Sequence, residues 1–143
     1  MSILLALALA EAAGGAVTVD VGNVRNSRGK VMIDICPQAK FLDDTCAWHG
    51  EAPAHAGVTR ITVPHVPAGQ YAIQAFHDEN GNGEVDRAMM GIPREGVGFS
   101  RDVRIRLSPP KWEDAYFIHQ GRAEILHFSL RYFMGDKGPN PPR

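Results

Sequence analysis

No apolar run in this sequence is long enough to cross a bilayer as a helix, which takes about 20 residues. No block of one charge sign is present, and the formal net charge is -1 at pH 7. Both the electrostatic footprint of a nucleic-acid binder and a charged interaction tail are therefore missing. Cysteine occurs only twice, in neither a CxxC redox motif nor a zinc-ligand spacing. Ser100 sits in Gly98-Phe99-Ser100-Arg101-Asp102, which is not a nucleophile elbow. Gly81-Asn82-Gly83 lacks the Lys-Ser/Thr of a phosphate loop. Nothing carries a sustained helical stripe, and no repeat recurs at a solenoid period.

What is present fits one domain of 143 residues with room for a hydrophobic core. The opening, Met1 to Gly15, is a short apolar segment followed by small residues. Ala8-Leu9-Ala10 or Ala10-Glu11-Ala12 resembles a signal-peptidase site, although the positive n-region is missing. The alternative is an amphiphilic first strand or helix. The expected organisation is a signal peptide over 1–14, a domain over 15–134 and a disordered Pro- and Gly-rich tail over 135–143. That places the mature chain in the periplasm or outside the cell, with no transmembrane segment. In such a compartment Cys36 and Cys46 are expected to form one disulfide. Closing so short a loop contributes about 2 to 3 kcal/mol on the chain-entropy model. The alternative is a buried thiol at Cys36 with an unrelated Cys46.

Val17, Val19 and Val21 alternate with Thr18, Asp20 and Gly22, the period of a half-buried strand. Arg25 to Gly29 reads as a turn into a second strand, Val31 to Ile35, giving a hairpin. Pro37 ends it, and Gln38 to Leu42 suits one helical turn. Asp43 to Gly57, rich in Ala, His, Gly and Pro, reads as a loop. A third strand runs from Val58 to Val63. Val66-Pro67-Ala68-Gly69 suits a type I turn continuing into a left-handed glycine. The strand Tyr71 to His77 is apolar on both faces apart from Gln74, which places it inside the sheet. Gly91 to Ser100 has too much Gly and Pro for regular structure. Further strands are expected over Val103 to Leu107, Glu113 to His119 and Leu126 to Tyr132. About seven short strands argue an all-β, antiparallel β-sandwich, transthyretin-like or immunoglobulin-like.

The chemistry concentrates after Phe76, in His77-Asp78-Glu79-Asn80-Gly81-Asn82-Gly83-Glu84-Val85-Asp86. Counting Asp78 as 1 puts Asn80 at 3, Asn82 at 5, Gly83 at 6, Glu84 at 7 and Asp86 at 9. That is the EF-hand order of oxygen ligands and turn glycine, with Glu84 contributing its carbonyl. The register then fails, because position 12 is Met89 where a bidentate Glu belongs. Glu95 is the nearest carboxylate able to close such a site. The competing reading is a polar turn in which Asn and Asp bond their own backbone. His77, Asp78 and Glu95 also form a candidate acid/base set, without a visible nucleophile.

The six histidines (His49, His55, His65, His77, His119 and His127) show no metal-ligand spacing. His119 and His127 are candidates to face each other across a final hairpin. Trp48 and Trp112 read as plugs at the ends of the core, or as a sugar- or peptide-binding platform. Arg94, Arg101, Arg104 and Arg106 offer a basic stripe, the last three also suiting the solvated face of a strand.

Several motifs occur in linked order: Pro67-Ala68-Gly69-Gln70-Tyr71-Ala72, His77 to Gly83, Gly91-Ile92-Pro93-Arg94-Glu95, Gly98-Phe99-Ser100, and Pro109 to Ala115. In these, roughly from Val17 to Tyr132, the chain resembles the bacterial domain of unknown function family 2141. The resemblance implies an exported all-β domain and carries no established biochemical activity. The Pro-x-Gly-x-Tyr turn leading into an acidic glycine-rich loop is also similar to transthyretin-like and adhesin B-type sandwiches, some of which bind calcium there. The expectation is a non-enzymatic binding or structural module of the bacterial envelope, with a calcium-binding loop and a protein or glycan partner. The alternative is an enzyme using His77, Asp78 and Glu95.

Overall fold

Valine alternation builds the first strand. Val17, Val19, Val21 and Val24 have no exposed surface, and they lie on β1 (Gly15–Val24). The computed structural model of the chain describes residues 14–43, 46–81, 95–105 and 108–139. Among these residues seven more strands follow: β2 (Lys30–Cys36), β3 (Trp48–Pro53), β4 (Gly57–Val66), β5 (Gly69–Asp78), β6 (Val97–Phe99), β7 (Phe117–His119) and β8 (Glu124–Ser129). One sheet has the order β4-β1-β8 and the other β3-β2-β5-β6, with β7 pairing the start of β5. Every pairing is antiparallel except β1 with β8. The architecture is the expected all-β sandwich of two sheets. No helix among the described residues is long and apolar enough to cross a membrane.

The core between the sheets joins the β1 valines to Ile33, Ile35, Ile61, Val63, Ile73 and Phe128. Burying each such side chain stabilises the fold by about 1.5 to 3 kcal/mol. β5 is the central strand. Tyr71, Ile73 and Ala75 face that core, whereas Ala72 packs with Phe99 and Ala115 in a second cluster. Covered on both faces, it reads as continuously apolar, as its sequence implies. Its entry is fixed by the Tyr71 hydroxyl, which donates to the Pro67 carbonyl at 2.8 Å. This tyrosine corner ties the strand to the turn before it.

Several sequence expectations are corrected. β1 and β2 do not form a hairpin, because the Arg25 to Gly29 turn carries the chain from one sheet to the other. The turn at Pro67 likewise crosses between sheets, and the left-handed residue there is His65, not Gly69. β3 occupies what reads as a loop. Trp48, Gly50 and Ala52 turn inward while His49, Glu51 and Pro53 face solvent, and its edge position tolerates Pro53. β6 lies in the Gly/Pro-rich stretch, where Gly98 is required because a Cβ would meet the Ser129 carbonyl oxygen at 2.7 Å. Residues 103–105 are not a strand. Glu113 to His119 divides into a single helical turn, α1 (Trp112–Ala115), and β7. β7 and β8 join different sheets, so no final hairpin brings His119 to His127. The His119 ring bonds Glu124 Oε2 and the Val66 carbonyl, and His127 Nδ1 bonds the Asp20 carbonyl.

Candidate functional site

β5 delivers His77, Asp78 and Glu79 to one end of the sandwich, where the acidic loop begins. Alternation along the strand sends successive side chains to opposite faces. His77 turns inward and has no exposed surface. Its Nε2 faces the Arg28 carbonyl at 2.7 Å and its Nδ1 the Tyr132 hydroxyl at 2.9 Å. A carbonyl only accepts, so Nε2 carries the proton and Nδ1 accepts from the phenol. The phenol oxygen in turn accepts from the Arg25 backbone N–H at 3.0 Å. The ring is thus held neutral in one tautomer. Burial depresses the His77 pKa below its ordinary value, against the opposing pull of the Arg28 hydrogen bond and the Glu79 charge. Burial also pushes the Tyr132 hydroxyl up to about 12.

Glu79 sits beside this chain of bonds. Its Oε1 receives Arg25 Nε at 2.5 Å, and Arg28 approaches Oε2 at 3.5 Å. Burial opposes ionisation of Glu79, but the Arg25 hydrogen bond and charge outweigh it and hold the carboxyl below its usual range. The Arg25 guanidinium lies 4.5 Å from the centre of the Tyr132 ring. Its Nη1 donates to the carbonyls of Met134 at 2.6 Å and Asp136 at 3.1 Å. One side chain therefore joins the end of β1, the start of the acidic loop and the chain beyond β8. That contact holds the opening of the expected tail against the domain.

The loop's two ends meet here. Glu95 is 4 % exposed, and its Oε2 accepts from the Glu79 backbone N–H at 2.5 Å. Asp78 is fully buried at the strand's exit, and Asn80 is exposed. The Gly81 N–H reaches the Asp78 carbonyl at 3.4 Å, and Gly81 has φ 71°. The left-handed glycine turn is formed. Of the candidate ligands, Asp78 and Asn80 flank Glu79, whose amide Glu95 holds, whereas Asn82, Glu84 and Asp86 lie outside the described residues. So do Met89, Arg94 and Arg106. All the donors are carboxylate, amide or carbonyl oxygens, the set that suits a hard cation such as Ca²⁺. Among the described residues no three His, Cys, Asp or Glu side chains converge on a metal position.

His77 is not arranged for acid/base work. Both ring nitrogens are engaged, and the ring has no solvent-facing edge. Cys36 and Cys46 form the expected disulfide, with Cα atoms 5.4 Å apart. Trp48 packs edge-on against Tyr71, and Trp112 against Phe41 while stacked on Tyr116. Sequence reasoning missed Arg25, Glu79 and Tyr132, the residues that organise the loop's root. Their only shared signal is polar chemistry at the ends of apolar strands, and their sequence separations hide the contact.

The family model described as an uncharacterized protein conserved in bacteria (DUF2141) matches residues 19–126. No curated protein and no solved structure matches the chain.

Proposed function

This chain belongs to the bacterial family DUF2141, and on that premise we propose that it is an exported, non-enzymatic module of the cell envelope whose acidic loop binds Ca²⁺. The observation that supports this reading is the closure of the loop's root, where Glu95 Oε2 accepts from the Glu79 amide next to Asp78. On this reading Glu95, held at the root by its bond to the Glu79 amide, supplies the carboxylate missing at position 12. Arg25 and Tyr132 brace that root, so the ligands at its ends are ordered before the ion arrives, which lowers the entropy cost of binding. Export is supported by the Cys36–Cys46 disulfide, since such bonds persist in oxidising compartments. With Ca²⁺ bound, the loop presents an ordered surface to a protein or glycan partner.

With few carboxylates the affinity falls in the extracellular range, Kd about 10⁻⁴ to 10⁻³ M. A ligand that binds only the folded state stabilises it by about 2.7 kcal/mol at a hundred times Kd. Thermal melting in excess chelator and in saturating Ca²⁺ tests the reading. The wild type gains stability in Ca²⁺, and Asp78→Ala and Asp86→Ala remove the gain. Superimposable wild-type curves leave only the turn reading, in which Gly81 and Gly83 supply backbone freedom and the acids solvate the loop.

A further inference from the structure

Away from the acidic loop, the chain leaving β8 and the segment after the Ser100–Asp102 turn border an open cleft of about 670 Å³. That volume lies within the range of small-molecule sites, roughly 300 to 1,000 Å³. Three cations line it, Arg104, Arg131 and Lys137, beside the apolar surfaces of Ile105, Tyr132 and Phe133. No acidic residue is among its described lining. Arg131 is held in place by Asp102 at 3.1 Å, and Asp102 in turn accepts from the Ser129 N–H. Arg104 is exposed, and neither its guanidinium nor the Lys137 ammonium has an ion-pair partner among the described residues.

The backbone around the cleft is unusual. Asn23, Arg101 and Asp102 all have positive φ, at 56°, 61° and 52°. Asn and Asp tolerate that region, but for Arg101 it costs about 1 to 2 kcal/mol. The strain sets the turn that aims Asp102 at Arg131. On the other wall, the Asn23 amide donates to the Leu130 and Lys137 carbonyls, both at 2.8 Å, and pins Lys137 beside the cleft. Arg131 and the backbone at Lys137 are thus fixed beside the cleft.

We propose that this cleft binds an amphiphilic anion, its phosphate or carboxylate head held by Arg104, Arg131 and Lys137 and its apolar body lying on Ile105 and Phe133. Guanidinium groups suit such heads through paired N–H donors. Such an anion could be a free alkyl phosphate or carboxylate, or the headgroup and proximal chain of an anionic lipid. The inference stands independently of Ca²⁺ in the acidic loop.

The test titrates hexyl phosphate into the full chain and follows amide shifts by NMR, with inorganic phosphate and hexanol as comparison probes. Saturable shifts at Arg131 to Lys137 are expected. Binding should be at least about tenfold tighter than for inorganic phosphate, because the alkyl chain buries apolar surface. Salt at about 0.5 M should weaken it, since exposed charges are screened. The double variant Arg104→Gln/Lys137→Gln should lose at least about tenfold in affinity, whereas Lys111→Gln, outside the cleft, should not. Hexanol binding as tightly as hexyl phosphate, no saturable shift, or an unchanged double variant overturns the proposal. Co-sedimentation with phosphatidylglycerol vesicles but not phosphatidylcholine vesicles assigns the lipid source, and hexyl phosphate binding without vesicle binding assigns the soluble one.

Discussion

Replacing Tyr132 with Phe removes one oxygen and leaves the ring in place. That oxygen accepts from the Arg25 N–H at 3.0 Å and donates to His77 Nδ1 at 2.9 Å. Both partners stay behind, one on a ring with no exposed surface, with no water space made for them. Leaving a buried polar group unsatisfied costs about 1 to 3 kcal/mol. The ring's packing and its contact with the Arg25 guanidinium survive, so the loss expected for Tyr132→Phe is about 2 to 4 kcal/mol. For a domain of this size each kcal/mol moves the melting midpoint by about 4 °C, giving a drop of about 8 to 16 °C. Circular dichroism melts at neutral pH read it directly. A loss under about 0.5 kcal/mol, the level of an ordinary surface substitution, would show that the hydroxyl does not hold His77.

Gly29 has φ 67°, and a Cβ there would lie 1.9 Å from the Asp78 carbonyl oxygen. Gly29→Ala is therefore expected to destabilise by more than about 2 kcal/mol in chemical denaturation, through strain and clash together. Acid should weaken the fold in two stages. The folded pKa of His77 is depressed, so its contribution is complete above the unfolded value near 6.5 and is lost as pH falls through the folded one. Glu79, also depressed, adds a second loss below about 4.5. Denaturant midpoints should fall from about pH 7.5 to about pH 5, and His77→Gln should flatten that interval. Reducing the Cys36–Cys46 bond should cost about 2 to 3 kcal/mol, read as a lower midpoint with reductant and a gain of two protons by mass.

The sheet-forming parts of the chain were legible where side-chain period and burial agree. β1 alternates cleanly because only its valine face meets the core, and β5 is apolar throughout because both its faces are covered. β3 was not legible. Its inward residues are Trp48, Gly50 and Ala52, two of them too small to mark a strand, and its outward ones include Pro53. Topology was hidden for a different reason. A five-residue turn at Arg25 to Gly29 serves equally to close a hairpin or to step between sheets, and only packing of both strands' apolar faces selects the second. The oxygen-bearing pattern from Asp78 to Asp86 was plain in the sequence, and Glu95, singled out there, lies on the Glu79 amide at the loop's root. The Arg25–Glu79–Tyr132–His77 brace was invisible, since it joins residues more than a hundred positions apart through bonds that no local pattern encodes.

Ca²⁺ binding at the root of the acidic loop, as proposed, is open to direct observation. Titrating Ca²⁺ into isotopically labelled protein and following the backbone amides of Glu79, Asn80 and Gly81 addresses it at the site itself. Those three resonances should move saturably with one site and a Kd of about 10⁻⁴ to 10⁻³ M, reversed by chelator. Mg²⁺, which demands a tighter octahedral shell, should bind more weakly. Resonances that stay fixed up to about 10 mM Ca²⁺, ten times the upper limit of that range, would contradict it.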